Sequence, residues 1–256
     1  MTSRPANGQW ERQATGTTLR NVYGREAGNQ VTWSHTMSGG FKVRVAALYD
    51  IHGNLDALDA ALDAARHSAA DLVVIGGDVF PGPLASEALD RLLALDIPCQ
   101  WIKGNGDRAV LEQRRGVASD ALPQSVRPII RWHAAALTAA HERAIASWAS
   151  TLRLEIDGLG SVVFVHASPR NDTEIFTERT PAAGLEPIFD AADADVVVCG
   201  HTHMQFDRMI GRTRVVNAGS VGMPFGDPGA HWALLGPEVE LRRTPYDLER
   251  AAARIR

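Results

Sequence analysis

Three short apolar runs, each closed by a polar residue, recur at almost constant spacing in this 256-residue chain. Val43 to Leu48, interrupted once by Arg44, leads into Tyr49-Asp50-Ile51-His52. Leu72 to Ile75 leads into Gly76-Gly77-Asp78, and Cys99 to Ile102 leads into Gly104-Asn105-Gly106-Asp107. Asp50 to Asp78 is 28 positions and Asp78 to Asn105 is 27, close to the roughly 30-residue length of a βαβ unit. Near-continuous apolar runs fit parallel strands covered on both faces. Between them, Leu55, Leu58 and Leu62, then Leu84, Ala88, Leu89, Leu92 and Leu93, fall at helical spacing, as an amphipathic helix requires. Right-handed crossovers then carry all three strand ends to one carboxyl edge, where open α/β sheets bind their ligands.

The second half repeats the device with elements that look antiparallel. Leu152 to Ile156 and Ser161 to Val165 are joined through Asp157-Gly158-Leu159-Gly160 and read as a hairpin. The second of these runs ends in His166. Asp195 to Cys199 is followed by Gly200-His201-Thr202-His203, and Arg214 to Val216 by Asn217. Asp50, His52, Asp78, Asn105, His166, His201 and His203 thus gather at strand ends. Carboxylate and amide oxygens mixed with imidazole nitrogens suit Mn, Fe, Ni or Zn rather than Cu(I) or an iron–sulfur cluster. Each residue alone has an ordinary explanation, as a strand terminator, a helix cap or a satisfied strand-end histidine. The pair flanking Thr202 is harder to dismiss, because burying two imidazoles without a cation or carboxylate partner is costly. Asn54 reads as the N-cap of the first helix, Asp107 as a support for ligands rather than a ligand, and Arg108 as a solvated first-turn residue.

The ordered set Asp-x-His-Gly-Asn, Gly-Asp, Gly-Asn-x-Asp, strand-terminal His and Gly-His-Thr-His resembles the calcineurin-like metallophosphoesterases over about residues 41 to 243. Asn217-Ala218-Gly219-Ser220-Val221-Gly222-Met223-Pro224 is similar to a loop of their small prokaryotic phosphodiesterase branch, with Ala218 where Pro is usual. The resemblance implies a four-layer α/β/β/α sandwich of two mixed sheets flanked by helices. It implies two divalent ions, manganese first and iron, nickel or zinc next. Asp50, His52, Asp78 and His203 would hold one ion; Asp78, Asn105, His166 and His201 would hold the other, with Asp78 shared. Asp78, Asn105 and His166 would carry the catalysis. A bridging water or hydroxide would attack phosphorus directly, since no residue stands out as a covalent nucleophile. One departure matters: many members have a histidine after the motif Asn, as general acid or phosphate contact, where this chain has Gly106. His133, His141 and His231 are the other imidazoles considered for that role. The expected substrate is a small phosphorylated compound, with nucleotides among the candidates. A serine/threonine-type protein phosphatase is the alternative on motif grounds, against which stand Phe80-Pro81-Gly82-Pro83 and Gly106. A non-catalytic scaffold on the same fold is a third possibility.

Composition sets the remaining bounds. A chain 45% hydrophobic and 22% charged can bury one sizeable core. A formal net charge of −4 gives no electrostatic case for binding nucleic acid. Two cysteines on separate strands fit a reducing, cytoplasmic setting, and no apolar stretch is long enough for a membrane span. Oligomeric state is left open. Residues 1–40, rich in Gly, Thr, Asn, Ser and Arg, read as a disordered or non-native extension, with Met37 a candidate start. Residues 41–256 read as one domain in which 108–150 is a helical, cap-like insertion, with Trp132 and Trp148 in its apolar stripe. The stretch from Pro245 reads as a short terminal helix.

Overall fold

The computed structural model describes residues 30–33, 43–117 and 122–255. A five-stranded sheet has the order β11-β10-β2-β3-β4, built from β2 (Val45–Leu48), β3 (Leu72–Ile75), β4 (Cys99–Trp101), β10 (Ala230–Leu235) and β11 (Val239–Thr244). A six-stranded sheet has the order β1-β5-β6-β7-β9-β8, from β1 (Gln30–Trp33), β5 (Thr151–Ile156), β6 (Gly160–Val165), β7 (Val196–Cys199), β8 (Phe206–Ile210) and β9 (Thr213–Asn217). The helices are α1 (Leu55–His67), α2 (Ala85–Leu93), α3 (Asn105–Arg114), α4 (Arg127–Ala136), α5 (Ala139–Ser147), α6 (Glu186–Asp190) and α7 (Leu248–Ile255), with a 3-10 turn at Ala182–Gly184.

Strand periodicity explains why the apolar runs are nearly unbroken. Successive side chains point to opposite faces, and in the buried strands both faces meet a core. Ala46, Leu48, Val73 and Ile75 pack outward on Leu58, Leu62, Leu89 and Val110 of the helices. Val45, Ala47 and Val74 pack inward on Leu152, Phe164, Val198 and Val216 of the other sheet. Val163, Val165, Val197 and Val215 of that second sheet face Phe176, Leu185 and Phe189 on its far side. Three cores between four layers give the expected α/β/β/α sandwich.

β2, β3 and β4 are parallel, as the spacing required. The β5–β6 hairpin also forms. The rest of the second half is mixed rather than antiparallel throughout: β6 pairs parallel with β7 and β7 parallel with β9, while β8 pairs antiparallel with β9 and β10 with β11. The connection through residues 166–195, carrying the 3-10 turn and α6, is a crossover that returns the chain to the same edge. His166, His201 and His203 therefore arrive at one carboxyl edge by the same rule that places Asp50, Asp78 and Asn105.

Among residues 1–40 only β1 is described, paired parallel with β5; the rest of the proposed extension and Met37 lie outside the described residues. α3, α4 and α5 contribute to the core over the five-stranded sheet. Their two tryptophans part company: Trp148 is buried and stacked on Trp101 at 5.0 Å, whereas Trp132 is 57% exposed, its ring edge-on to His133. α7 forms as expected, and its Arg250 and Arg254 bind the buried carboxylate of Asp56 in α1. Among the described residues no helix is long and apolar enough to cross a membrane.

Candidate metal centre

All seven sequence candidates come together at the facing edges of the two sheets. Asp50 and His52 follow β2, Asp78 follows β3, Asn105 opens α3, His166 follows β6, and His201 and His203 follow β7. Asp50, His52 and His203 form one group of converging ligand atoms, and Asp50, Asp78 and His166 another. His52 Nε2 lies 3.2 Å from His203 Nε2 and 3.8 Å from Asp78 Oδ2. His166 Nε2 lies 3.6 Å from Asp78 Oδ1 and 3.0 Å from Asn105 Oδ1. Asp78 thus offers one oxygen to each side. Asp50 Oδ1 reaches both, at 3.5 Å from His203 Nε2 and 3.9 Å from His166 Nε2.

The imidazoles are held in the tautomer a cation needs. His52 Nδ1 donates to the Pro81 carbonyl at 2.9 Å, His166 Nδ1 to Gly76 at 2.9 Å and His203 Nδ1 to Met223 at 2.8 Å. Each Nε2 lone pair is left facing the cluster, the usual outer support of a metal-bound histidine. Asp50 Oδ1 is buried with no hydrogen-bond partner, whereas Oδ2 accepts from His201 N at 2.8 Å. The Asn105 carbonyl oxygen faces acceptors only, 3.0 Å from both His166 Nε2 and His201 Nδ1. Orphaned oxygens and converging lone pairs in a buried site are unfavourable alone and favourable around a cation. The donor set therefore fits one or more divalent ions.

Electrostatics agrees. Burial alone would raise the Asp50 carboxyl, but His203, His166 and His52 hold it below its ordinary value. Burial would lower His166 and His203, but Asp78 and Asp50 around the first, and Asp50 beside the second, raise both. The two carboxylates call for positive charge, which protons or metal ions can supply. His201 moves the other way, lowered by burial and by His166.

Backbone conformation sets these residues apart. Asp50, His52, Asp78, His201 and His203 all have left-handed φ, between 46° and 66°, a region that disfavours side-chain-bearing residues. Only Ala69 and Asp193 share it among the other described non-glycine residues. Strain gathered on five of seven candidate ligands marks a functional site.

Supporting residues fix the ligand loops. Asp107 is buried, and its carboxylate accepts from Asp78 N at 2.8 Å, Gly104 N at 3.0 Å and Phe80 N at 3.0 Å. Burial and Asp78 push its pKa up to about 7, against the pull of those N–H donors. Asn54 caps α1 through Ala57 N, as expected, and also donates to Gly222 O. The Asn217 amide donates to Gly200 O and Thr202 Oγ1, and Ser220 Oγ donates to Asp50 O. Sequence reasoning placed Asn217 at a strand end and singled out the rest of this loop only by resemblance. Arg108 stays partly solvated, with 40% of its side chain exposed, but it is not free, since it forks onto Asp172 at 2.6 and 3.0 Å. The three imidazoles weighed for the acid role are engaged elsewhere: His133 Nε2 accepts from Gly82 N, His141 pairs with Asp90, and His231 Nε2 lies 3.0 Å from Asp227 O.

The model of the calcineurin-like phosphoesterase superfamily domain matches residues 43–238. The chain belongs to that superfamily. Its relatives include protein MJ0912 of Methanocaldococcus jannaschii, 24% identical, with 84% of this chain and 92% of that one aligned. Among solved structures, the metallophosphoesterase from Sphaerobacter thermophilus is 26% identical with a TM-score of 0.63, over 84% of this chain and 93% of the other. PH1004 from Pyrococcus horikoshii has a TM-score of 0.68 at 22% identity, over 83% and 92%, a likeness of fold.

Proposed function

We propose that this member of the superfamily is a dinuclear, metal-dependent phosphoric ester hydrolase acting on a small phosphorylated compound, with nucleotides among the candidates and manganese the first metal to try. The carrying observation is the two-sided reach of Asp78, with Oδ2 towards His52 and Oδ1 towards His166. His52, His203 and Asp50 would serve one ion; Asn105, His166 and His201 the other; Asp78 would serve both. When bound, two divalent ions supply a water of lowered pKa and neutralise charge on the phosphoryl oxygens.

The chain's own part is to pre-set this array. Asp107 holds the Asp78 and Gly104 backbones, the three carbonyls orient the imidazoles, and Asn217 and Ser220 tie the turns together. At the position where many relatives carry an acid, Gly106 is packed shut: a Cβ there would lie 2.2 Å from Phe80 O, 2.9 Å from Pro81 Cδ and 3.0 Å from Asp78 Oδ1. Substrates whose leaving group departs as a stable anion fit such a site best. Two free thiols, Cys99 and Cys199, support a reducing, cytoplasmic setting.

The test is hydrolysis of bis-p-nitrophenyl phosphate and p-nitrophenyl phosphate by stripped protein reloaded with Mn²⁺, with metal content measured in parallel. Asp78→Ala is expected to lose both ions and all turnover; His52→Ala mainly one ion. Equal loss of a single ion in both variants would contradict the shared carboxylate. No turnover by a wild type carrying two ions, on either substrate, would count against the hydrolase.

A further inference from the structure

The segment between His166 and Phe176 leaves β6 of the six-stranded sheet and meets α3 through Asp172 beside the candidate centre, although its side chains supply none of the seven candidate ligands. It is ordered from within. Ser168 Oγ accepts from Arg170 N and Asn171 N and donates to Glu174 Oε2 at 2.5 Å, while Asn171 Oδ1 accepts from Thr173 N at 2.9 Å. One of its backbone groups reaches a candidate ligand: the Asp172 carbonyl lies 3.1 Å from the Asn105 amide, placed to accept from its nitrogen. Asp172 is also gripped from the opposite side: Arg108, one turn into α3, binds Oδ2 through Nε at 2.6 Å and Oδ1 through Nη2 at 3.0 Å. Its remaining Nη1 lies 3.4 Å from both oxygens of Glu112.

From this geometry we infer that the Arg108–Asp172 fork is a positioning clasp for the second ion: it holds the 168–174 turn, and with it the Asp172 carbonyl, against the Asn105 amide, so that this amide stays turned beside His166 and His201. The inference rests on the two-metal reading above. A planar guanidinium gripping a carboxylate at two points fixes orientation as well as distance. α3 presents both Asn105 and Arg108, so one short helix start provides a ligand and the clasp that aligns its neighbour. The guanidinium is committed to the carboxylates of Asp172 and Glu112.

The clasp makes a prediction whose sign separates it from charge alone. Arg108 places a positive charge beside a cation site, so simple Coulomb repulsion says that removing it strengthens metal binding. Positioning says the opposite, a weakening of the second ion by about 10- to 100-fold, as is usual when an outer partner of a ligand is lost.

The experiment titrates full-length stripped protein with Co²⁺, following stoichiometry and the visible d–d bands, for wild type, Arg108→Ala, Asp172→Asn and the double variant, with Arg115→Ala as control. Arg115 carries the same charge on the end of α3 but pairs with Glu142. Expected are a retained tight ion, a weakened second ion with altered bands in both single variants, and no further loss in the double. Arg108→Lys, which keeps the charge without the fork, should recover only part of the loss. Unchanged or tighter second-ion binding in Arg108→Ala, with circular dichroism confirming a folded protein, would overturn the clasp. A wild type that takes only one ion would instead overturn the two-metal reading.

Discussion

Gly106 offers a perturbation in which two physical effects have opposite signs. It lies within α3, and on helix propensity alone Gly106→Ala should stabilise by about 1 kcal/mol. The surroundings oppose this. The new Cβ would sit 2.2 Å from the Phe80 carbonyl oxygen, so the helix start and the Phe80 backbone must separate by about 1 Å to restore ordinary contact. Both are tied. Phe80 N donates to Asp107 Oδ1 at 3.0 Å, and Gly106 N to Asp78 Oδ1 at 2.7 Å. Losing one such charge-assisted bond costs about 1.5–3 kcal/mol, and overpacking about 1–3 kcal/mol more. After the propensity gain the variant should be less stable by about 2–5 kcal/mol, lowering Tm by roughly 4–20 °C for a chain of this size. Urea unfolding of stripped protein, with and without added Mn²⁺, measures this directly. Binding at Asn105 should weaken too, because that ligand is the adjacent residue. A midpoint equal to or above wild type would show that the Phe80 turn yields freely and that the steric argument is wrong. By the same reasoning Gly106→His supplies no working acid, because its side chain has no room to enter.

Asp107→Asn turns an amide NH2 towards backbone donors that now share a carboxylate. Metal affinity measured against a chromophoric chelator should fall by about 10- to 100-fold, and wild-type affinity would argue against its supporting role. Where α7 meets the first turn of α1, replacing both Arg250 and Arg254 by Ala leaves buried Asp56 without its cations. About 1–3 kcal/mol of stability should be lost, below the usual figure for a buried pair because water gains access. Asp56→Asn should cost less in urea unfolding; an equal or greater cost would refute that asymmetry. Burial pushes Cys99 up to about 12 and Cys199 higher still, with Asp50 adding to the latter. Neither thiol should react with iodoacetamide at pH 8 until the chain is unfolded. The sign for stability follows: the native state keeps these protons while the unfolded chain gives them up, so stability is intact below roughly pH 8.5 and declines as pH rises towards 12. Rapid native labelling at pH 8 would contradict this.

The βαβ half was legible because two periodicities coincide, period two within strands that meet a core on each face and the near-constant spacing of Asp50, Asp78 and Asn105. The layering was not. Val163 and Val165 face one core and Val162 and Phe164 another, but an apolar run cannot say which neighbour each face meets. Strand direction failed for the same reason, since β7 reads alike whether its neighbours are parallel or antiparallel. β10 was passed over although all six of its residues are buried, because a short apolar run after a glycine-rich turn carries no period of its own. At the site, residue types announced the seven candidate ligands. Geometry had to supply the rest: the exposure of Trp132 and the pairing of Arg108 with Asp172, 64 positions away, depend on contacts no local pattern encodes.

The left-handed turns at Asp50, His52, Asp78, His201 and His203 also bear on descent. At each of them glycine would relieve roughly 1–2 kcal/mol of backbone cost, so a lineage released from its chemistry has a downhill path: drift to glycine makes the protein sturdier as it becomes inert. The side chains most easily surrendered are the ones the chemistry needs. A copy of this gene that had abandoned its trade should show the loss first at these five positions, and in this chain all five still carry a candidate ligand side chain.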